Sequence, residues 1–353
     1  MPDYLRFGGE LPAGCDPRLA VPEPFDGLAF SHGRATLGWL LERRGPFSAA
    51  LISAYTCPSV VRFCEHHGLA IGLFDVGADA EAIAALIPGL PGGGRILVSV
   101  PALLGFDPWL DAVALAEQLG ERALVVVDAA QTGFGHRRYR VPPGGAVLSC
   151  PRKTTALADG ACLMLDGVTA AERESVAALP EAGAAVIAKR AARALFAARD
   201  PALEEEALAL AALAERDWPA WPCRISAASL EQLIYLDAAA HDAARLANRA
   251  RLRAALDGFL VSALDGPGVP FGHAVLVDTR SEMLARLRAR RVFATPLWPD
   301  AVHDPARHPR AADLARRLLL LPIDQRYSLT EIDRLGELVG GLNCSGKRNS
   351  LEP

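Results

Sequence analysis

From residue 33 to about 166 the chain alternates short, almost wholly apolar runs with segments of helical period. The runs are Ala49-Ala50-Leu51-Ile52, Ile96-Leu97-Val98-Ser99-Val100, Ala123-Leu124-Val125-Val126-Val127 and Ala146-Val147-Leu148. A strand that is apolar on both faces belongs inside a sheet covered on both sides. Residues 80–87 and 112–119 carry the pattern of crossover helices, the first stopped by Pro88-Gly89. The alternation predicts a doubly wound, mostly parallel sheet. Residues 183–258 change character, becoming rich in Ala, Leu, Arg and Glu, with a break at Trp218-Pro219-Ala220-Trp221-Pro222, and predict two long helices. Beyond Gly266-Pro267-Gly268, the runs 273–277, 292–295 and 318–321 and the helical stretches 281–290 and 329–339 predict a smaller α+β unit. The expected division is an N-terminal segment (1–30), a large α/β domain (31–240), a small C-terminal α+β domain (241–342) and a disordered polar tail (343–353).

Composition narrows the functional classes. With 353 residues, 51% of them hydrophobic, the chain can bury a large core. A net charge of -4 and the lack of long single-sign runs give no footprint for nucleic acid or an anionic membrane. No basic region precedes an apolar stretch at the N-terminus and no uncharged apolar segment approaches the ~18 residues of a membrane span, so a cytoplasmic location is expected. Seven cysteines without a close CxxC pair suggest free thiols rather than a disulfide framework or a metal site. His66-His67, His303 and His308 give no metal-ligand pattern either.

The basic residues carry the sharpest signal. Only three of the 37 are lysines, Lys153, Lys189 and Lys347. Lys153 follows the apolar run ending at Leu148, and the preceding run ends in Asp128-Ala129-Ala130-Gln131. A lysine amine can lose its proton in a partly desolvated pocket and form a Schiff base; a guanidinium cannot. A carboxylate at the carboxyl end of a buried strand lies where α/β sheets bind ligands, and there it can keep a pyridine nitrogen protonated. Lys153 and Asp128 together point to pyridoxal phosphate, with Gln131 within reach of the ring oxygen and the Ser149 hydroxyl directed at the phosphate. Asp128 acting only as a helix cap, or binding another nucleotide, stays open at this level. Ser31-His32-Gly33-Arg34-Ala35 opens an amphipathic helix, whose free N–H groups suit a phosphate or merely a cap.

Several segments resemble the DegT/DnrJ/StrS family of sugar aminotransferases. Gly33-Arg34-Ala35-Thr36-Leu37 resembles its phosphate turn, Ile52-Ser53-Ala54-Tyr55-Thr56-Cys57 its Pro-x-Tyr-Thr strand end, and Val127-Asp128-Ala129-Ala130-Gln131 its Glu-Asp-Ala-Ala-Gln/His segment. Arg224-Ile225-Ser226 is similar to its Arg-Met-Ser segment and Leu321-Pro322 to its late Leu-Pro strand. The resemblance implies a pyridoxal phosphate enzyme of fold type I in which Lys153 is the Schiff-base lysine. It implies Asp128, Gln131, Ser149, Arg34, Ala35 and Cys57 as cofactor contacts, and Tyr55 and Arg224 as candidate substrate contacts; Arg326, in Asp324-Gln325-Arg326-Tyr327 after a buried run, offers a guanidinium for a substrate carboxylate or phosphate or equally closes the small domain by surface pairing. It further implies a homodimer, glutamate as amino donor, a nucleotide-linked keto-sugar or related small keto compound as acceptor, and a place in polysaccharide synthesis. Sugar dehydration is disfavoured because dehydratases of the family replace the lysine by histidine. The chain departs from the family where Cys57 replaces a stacking aromatic, where Pro222 replaces an asparagine, and where the Ser149–Lys153 interval is one residue short. A non-catalytic scaffold, partner subunit or ligand sensor of the same fold is the alternative these departures raise.

Overall fold

The apolar runs form the middle of a seven-stranded sheet. The computed structural model describes residues 6–23, 25–219, 221–256, 261–262, 266–301 and 304–342, so the expected tail and His303 lie outside the described residues. The strands are β1 (Phe7–Gly8), β2 (Leu28–Phe30), β3 (Phe47–Ser53), β4 (Ala70–Phe74), β5 (Arg95–Pro101), β6 (Ala123–Ala129), β7 (Ala146–Ser149), β8 (Ala161–Leu165), β9 (Val261–Ser262), β10 (His273–Leu276), β11 (Val292–Phe293) and β12 (Leu318–Leu321). The helices are α1 (Gly33–Arg44), α2 (Pro58–His66), α3 (Ala80–Leu86), α4 (Ala112–Leu119), α5 (Ala170–Ala177), α6 (Gly183–Ala197), α7 (Glu204–Arg216), α8 (Ala227–Ile234), α9 (Ala238–Leu256), α10 (Arg280–Ala289), α11 (Pro309–Arg317) and α12 (Leu329–Gly340).

The large sheet has the order β2-β8-β7-β6-β5-β3-β4. Only β8 runs against the others. Alternate residues of each central strand feed two different cores, as the two-residue strand period requires. Ala50, Ile52, Leu97, Leu124, Val126 and Leu148 pack with Trp39 and Leu40 of α1. Ala49, Leu51, Ile96, Val98, Val125, Val127 and Val147 pack on the opposite face with Ile83 of α3 and Leu115 of α4. Both crossover helices start at an aspartate, Asp79 accepting from Ala82 N at 2.8 Å and Asp111 from Val113 N at 2.8 Å, which satisfies otherwise orphaned donors.

The second unit combines the antiparallel sheet β12-β10-β9 with α9, α10 and α12 around Leu252, Val275, Leu287, Leu319 and Leu335. The N-terminal segment is shared between the two units. Phe7 and Gly8 pair with Val292 and Phe293, whereas residues 28–30 form the edge of the large sheet. The helical region also differs from the two long helices that periodicity predicts, for its described residues hold four, α6 to α9. Asp200 accepts from Ala202 N at 2.9 Å and Pro201 lacks an N–H, separating α6 from α7. Ser226 caps α8 through Ser229 N, and Asp237 accepts from Ala240 N at the start of α9. Each break is a local side-chain cap set within a continuous apolar periodicity, which conceals it from a window average.

Candidate active site

The strand order reverses between β3 and β5, because α2 leads outward to β4 and α3 returns the chain to the other side of β3. Ligands of open α/β sheets bind outside the carboxyl ends of the strands at such a point. A cavity of about 320 Å³ lies there. Six of the residues singled out from sequence line it: Arg34, Tyr55, Cys57, Asp128, Gln131 and Lys153. His32, Arg62, Arg152, Glu215 and Trp298 complete its polar and aromatic wall.

Strand parity places the central pair. Asp128 continues the side of β6 that carries Leu124 and Val126, facing the α1 layer. Its Oδ1 accepts from Ala130 N at 3.0 Å. Burial pushes the Asp128 carboxyl up, opposed by the positive charge of Lys153 and the Ala130 N–H. Lys153 ends the 3₁₀ turn Pro151–Lys153 that follows β7, and its N–H donates to Cys150 O at 2.9 Å. Gln131 is buried, and its Oε1 accepts from Leu104 N at 2.9 Å. That bond identifies the amide oxygen, so its nitrogen is a donor. It also holds the turn after β5, where Leu104 has φ 58.

The wall near α2 is similarly constrained. Tyr55 is fully buried and its hydroxyl donates to Leu297 O at 2.7 Å. The next residue, Trp298, packs its ring 5.3 Å from that of Tyr55 and has φ 44, a left-handed conformation that a bulky residue keeps only when its surroundings hold it. Cys57 caps α2 and its Sγ lies 3.0 Å from Ser59 Oγ. At the opposite wall α1 begins with His32 as its cap. The N–H groups of its first turn lack partners within the helix, so Arg34 and Ala35 offer backbone donors there; the Ala35 methyl itself is in the core.

Ala35 is not among the lining residues, and three further predicted residues do not reach the cleft. In the β6–β7 register Asp128 pairs with Leu148 and Ala129 with Ser149. Paired residues share a face, so Ser149 lies on the side away from Asp128. Its hydroxyl meets His136 Nδ1 at 2.7 Å. Arg224 pairs with Glu181 at 2.9 Å and donates to Leu179 O at 3.1 Å. Arg326 pairs with Asp324 at 2.6 Å and donates to Glu10 O at 3.0 Å. Both guanidiniums are committed elsewhere in the chain.

Two residues that sequence reasoning missed occupy the floor beside α1. Arg152 Nη1 binds Glu215 Oε1 at 3.1 Å and its guanidinium lies 4.8 Å from the Trp218 ring centre. Glu215 also accepts from Lys189 at 2.9 Å, and Lys189 from its other side holds Glu10 at 2.7 Å. Burial pushes the Glu215 carboxyl up, but Arg152 and Lys189 outweigh it and hold it at about 2. His32 stacks on Trp218 with centroids 5.0 Å apart. Its Nε2 donates to Pro219 O at 3.2 Å, so Nδ1 accepts from the Ser31 hydroxyl at 2.8 Å. Burial, with Arg152 and Arg34 nearby, lowers His32 to about 3. Burial and then Arg137 lower His136 to about 3 as well.

These shifts set a pH dependence. Below the ordinary histidine value of 6.5 the unfolded chain binds protons that folded His32 and His136 refuse, so stability falls as pH drops from 6.5 toward 3. Each such group contributes a slope of about 1.4 kcal/mol per pH unit in that window. Glu215 adds a loss of the same sign between its ordinary 4.5 and about 2. Urea unfolding at pH 7 and pH 5 is expected to show a lower midpoint at pH 5, by an amount that shrinks in His136→Phe; equal midpoints would contradict it.

No protein-family profile matches the chain, and no curated protein matches it in sequence. Solved structures do match. A DegT/DnrJ/EryC1/StrS aminotransferase from Brucella abortus is 17% identical with a TM-score of 0.59, over 89% of this chain and 85% of that one. DesV of S. venezuelae, solved in complex with a ketimine intermediate, is 18% identical with a TM-score of 0.59, over 92% and 86%. DesI, solved in the presence of its TDP-sugar product, is 19% identical with a TM-score of 0.60, over 89% and 79%. At such identities the likeness is one of fold, which is what the strand order and the second unit already display. The chain shares the fold of the DegT/DnrJ/EryC1/StrS aminotransferases, a mostly parallel seven-stranded sheet with a smaller second unit.

Proposed function

We propose that this chain is a pyridoxal-phosphate-dependent aminotransferase that moves an amino group from glutamate to a nucleotide-linked keto-sugar or a related small keto compound. The observation that carries the reading is the convergence of the Lys153 amine and the Asp128 carboxylate, from adjacent strand ends, on one cleft that also receives Arg34 and the start of α1. The donor set fits the cofactor: an amine for its aldehyde, a carboxylate for its ring nitrogen, an amide donor from Gln131 and cationic groups for its phosphate. Bound there, the cofactor supplies an electron sink for the carbanion left when the substrate carbon loses its proton. Asp128 holds a proton at the ring nitrogen. Lys153 would hold the cofactor through its amine and would carry the proton away from the substrate carbon. Tyr55, Trp298 and Leu148 exclude water from that transfer, the Tyr55 hydroxyl being committed to Leu297.

The structural neighbours support the acceptor class, since DesI was solved with a TDP-sugar product. A homodimer is part of the reading. Trp221 is 61% exposed, and such apolar exposure suits a subunit contact. Arg224 lies in the same region. A cytoplasmic location is part of the reading; no described helix is long and apolar enough to cross a membrane. Cys57 at a cofactor-facing position, where a thiol gives no aromatic face, favours the alternative of a non-catalytic relative. Glutamate separates the two. Added to the cofactor-loaded protein, it is expected to bleach the yellow absorbance and release an equal amount of 2-oxoglutarate; a protein that keeps its yellow cofactor unchanged would contradict catalysis.

A further inference from the structure

The cleft carries an excess of positive charge. Arg34, Arg62, Arg152 and Lys153 line it against the carboxylates of Asp128 and Glu215 alone, and His32 is neutral at pH 7. Two positive charges remain, and a phosphate monoester at pH 7 carries about -1.5 to -2. Arg34 forms no ion pair among the described residues, and Glu215 is shared between Arg152 and Lys189. The Arg152 fork is only partly used: Nη1 holds Glu215, and its guanidinium makes no other hydrogen bond among the described residues. The hydroxyl that sequence assigns to a phosphate, Ser149, is turned to His136 on the far face of the sheet.

We propose that Arg152, together with Arg34, binds the phosphate of the cofactor, taking the place of the Ser149 hydroxyl; this rests on the pyridoxal phosphate reading of the cleft. A guanidinium suits a phosphate because its planar fork gives parallel N–H donors. Glu215 and the Trp218 ring hold that fork in place. Arg152 and Lys153 are successive residues of one 3₁₀ turn, so phosphate and aldehyde would be gripped from a single rigid element.

The test compares ligands with and without the phosphate. Pyridoxal 5′-phosphate and pyridoxal are titrated spectroscopically, and inorganic phosphate calorimetrically, into cofactor-free wild type, Arg152→Met, Arg152→Lys, Arg34→Met and Ser149→Ala. Arg152→Met is expected to weaken pyridoxal 5′-phosphate and inorganic phosphate by about 10- to 100-fold and to leave pyridoxal within about twofold. Arg152→Lys should recover part of the loss and Ser149→Ala should show none. If Arg152→Met does not fold, as judged by its melting curve, Arg34→Met gives the same comparison. Equal weakening of both pyridoxal forms, or phosphate affinity independent of both arginines, would overturn the proposal. Wild type that binds inorganic phosphate through Arg152 but takes up neither pyridoxal form leaves the anion site standing and removes the cofactor reading.

Discussion

Replacing Lys153 by alanine is expected to abolish amino transfer, with a rate loss of about 10³-fold or more and no covalent attachment of the cofactor. The size follows from two roles held by one amine, since loss of a positioned general base alone costs about 10²- to 10⁴-fold. No neighbour can substitute. Arg34 and Arg152 line the same cleft but a guanidinium does not deprotonate in a protein. Lys189 is buried between Glu10 and Glu215, 2.7 and 2.9 Å from its amine, and does not line the cleft. The Lys153 side chain has no hydrogen bond or ion pair among the described residues, so the variant should melt close to wild type. Single-turnover rates with glutamate, beside melting curves, check this; appreciable transfer by Lys153→Ala would contradict the role.

Asp128→Asn is the second large effect, expected to lower the half-reaction rate by about 10²- to 10⁴-fold. Asparagine keeps the shape and the oxygen that accepts from Ala130 N, so the turn after β6 is preserved. What it removes is the charge that, on the proposed reading, would hold a proton at the ring nitrogen and so sustain the electron sink. Asp128→Glu should recover part of the rate, because the charge survives while its reach changes. Stopped-flow measurement of the three proteins with glutamate decides it. An Asp128→Asn variant as fast as wild type would show that the carboxylate is only a cap.

The sequence reading of the sheet succeeded where one local pattern decides the structure. The central runs are apolar on both faces, so nothing but a doubly covered strand suits them, and β3, β5, β6 and β7 lie where those runs do. Lys153, Asp128 and Gln131 were legible because strand ends are where this architecture gathers chemistry, and the same rule brings them to one cleft. Ser149 misled because its place after a strand says nothing of its face. The parity of β7, with Val147 on one side and Leu148 on the other, carried that information and puts Ser149 with Val147. Arg326 was open to two readings, a substrate contact or a pairing within the small domain, and its ion pair with Asp324 favours the second, while the Glu181 partner of Arg224 is identified only by the folded chain. Arg152 stood beside Lys153 in plain view. Glu215, inside a helix of ordinary charged residues, gave no signal until α7 was packed against the cleft.

The most direct test of the account is to load the wild-type protein with pyridoxal 5′-phosphate, reduce it with borohydride and map the modified peptide by mass spectrometry. The account predicts a single reduced adduct on Lys153, the one lysine of three that lines the cleft beside Asp128 among the described residues. An adduct confined to Lys189 or Lys347, or no adduct at all, would contradict it.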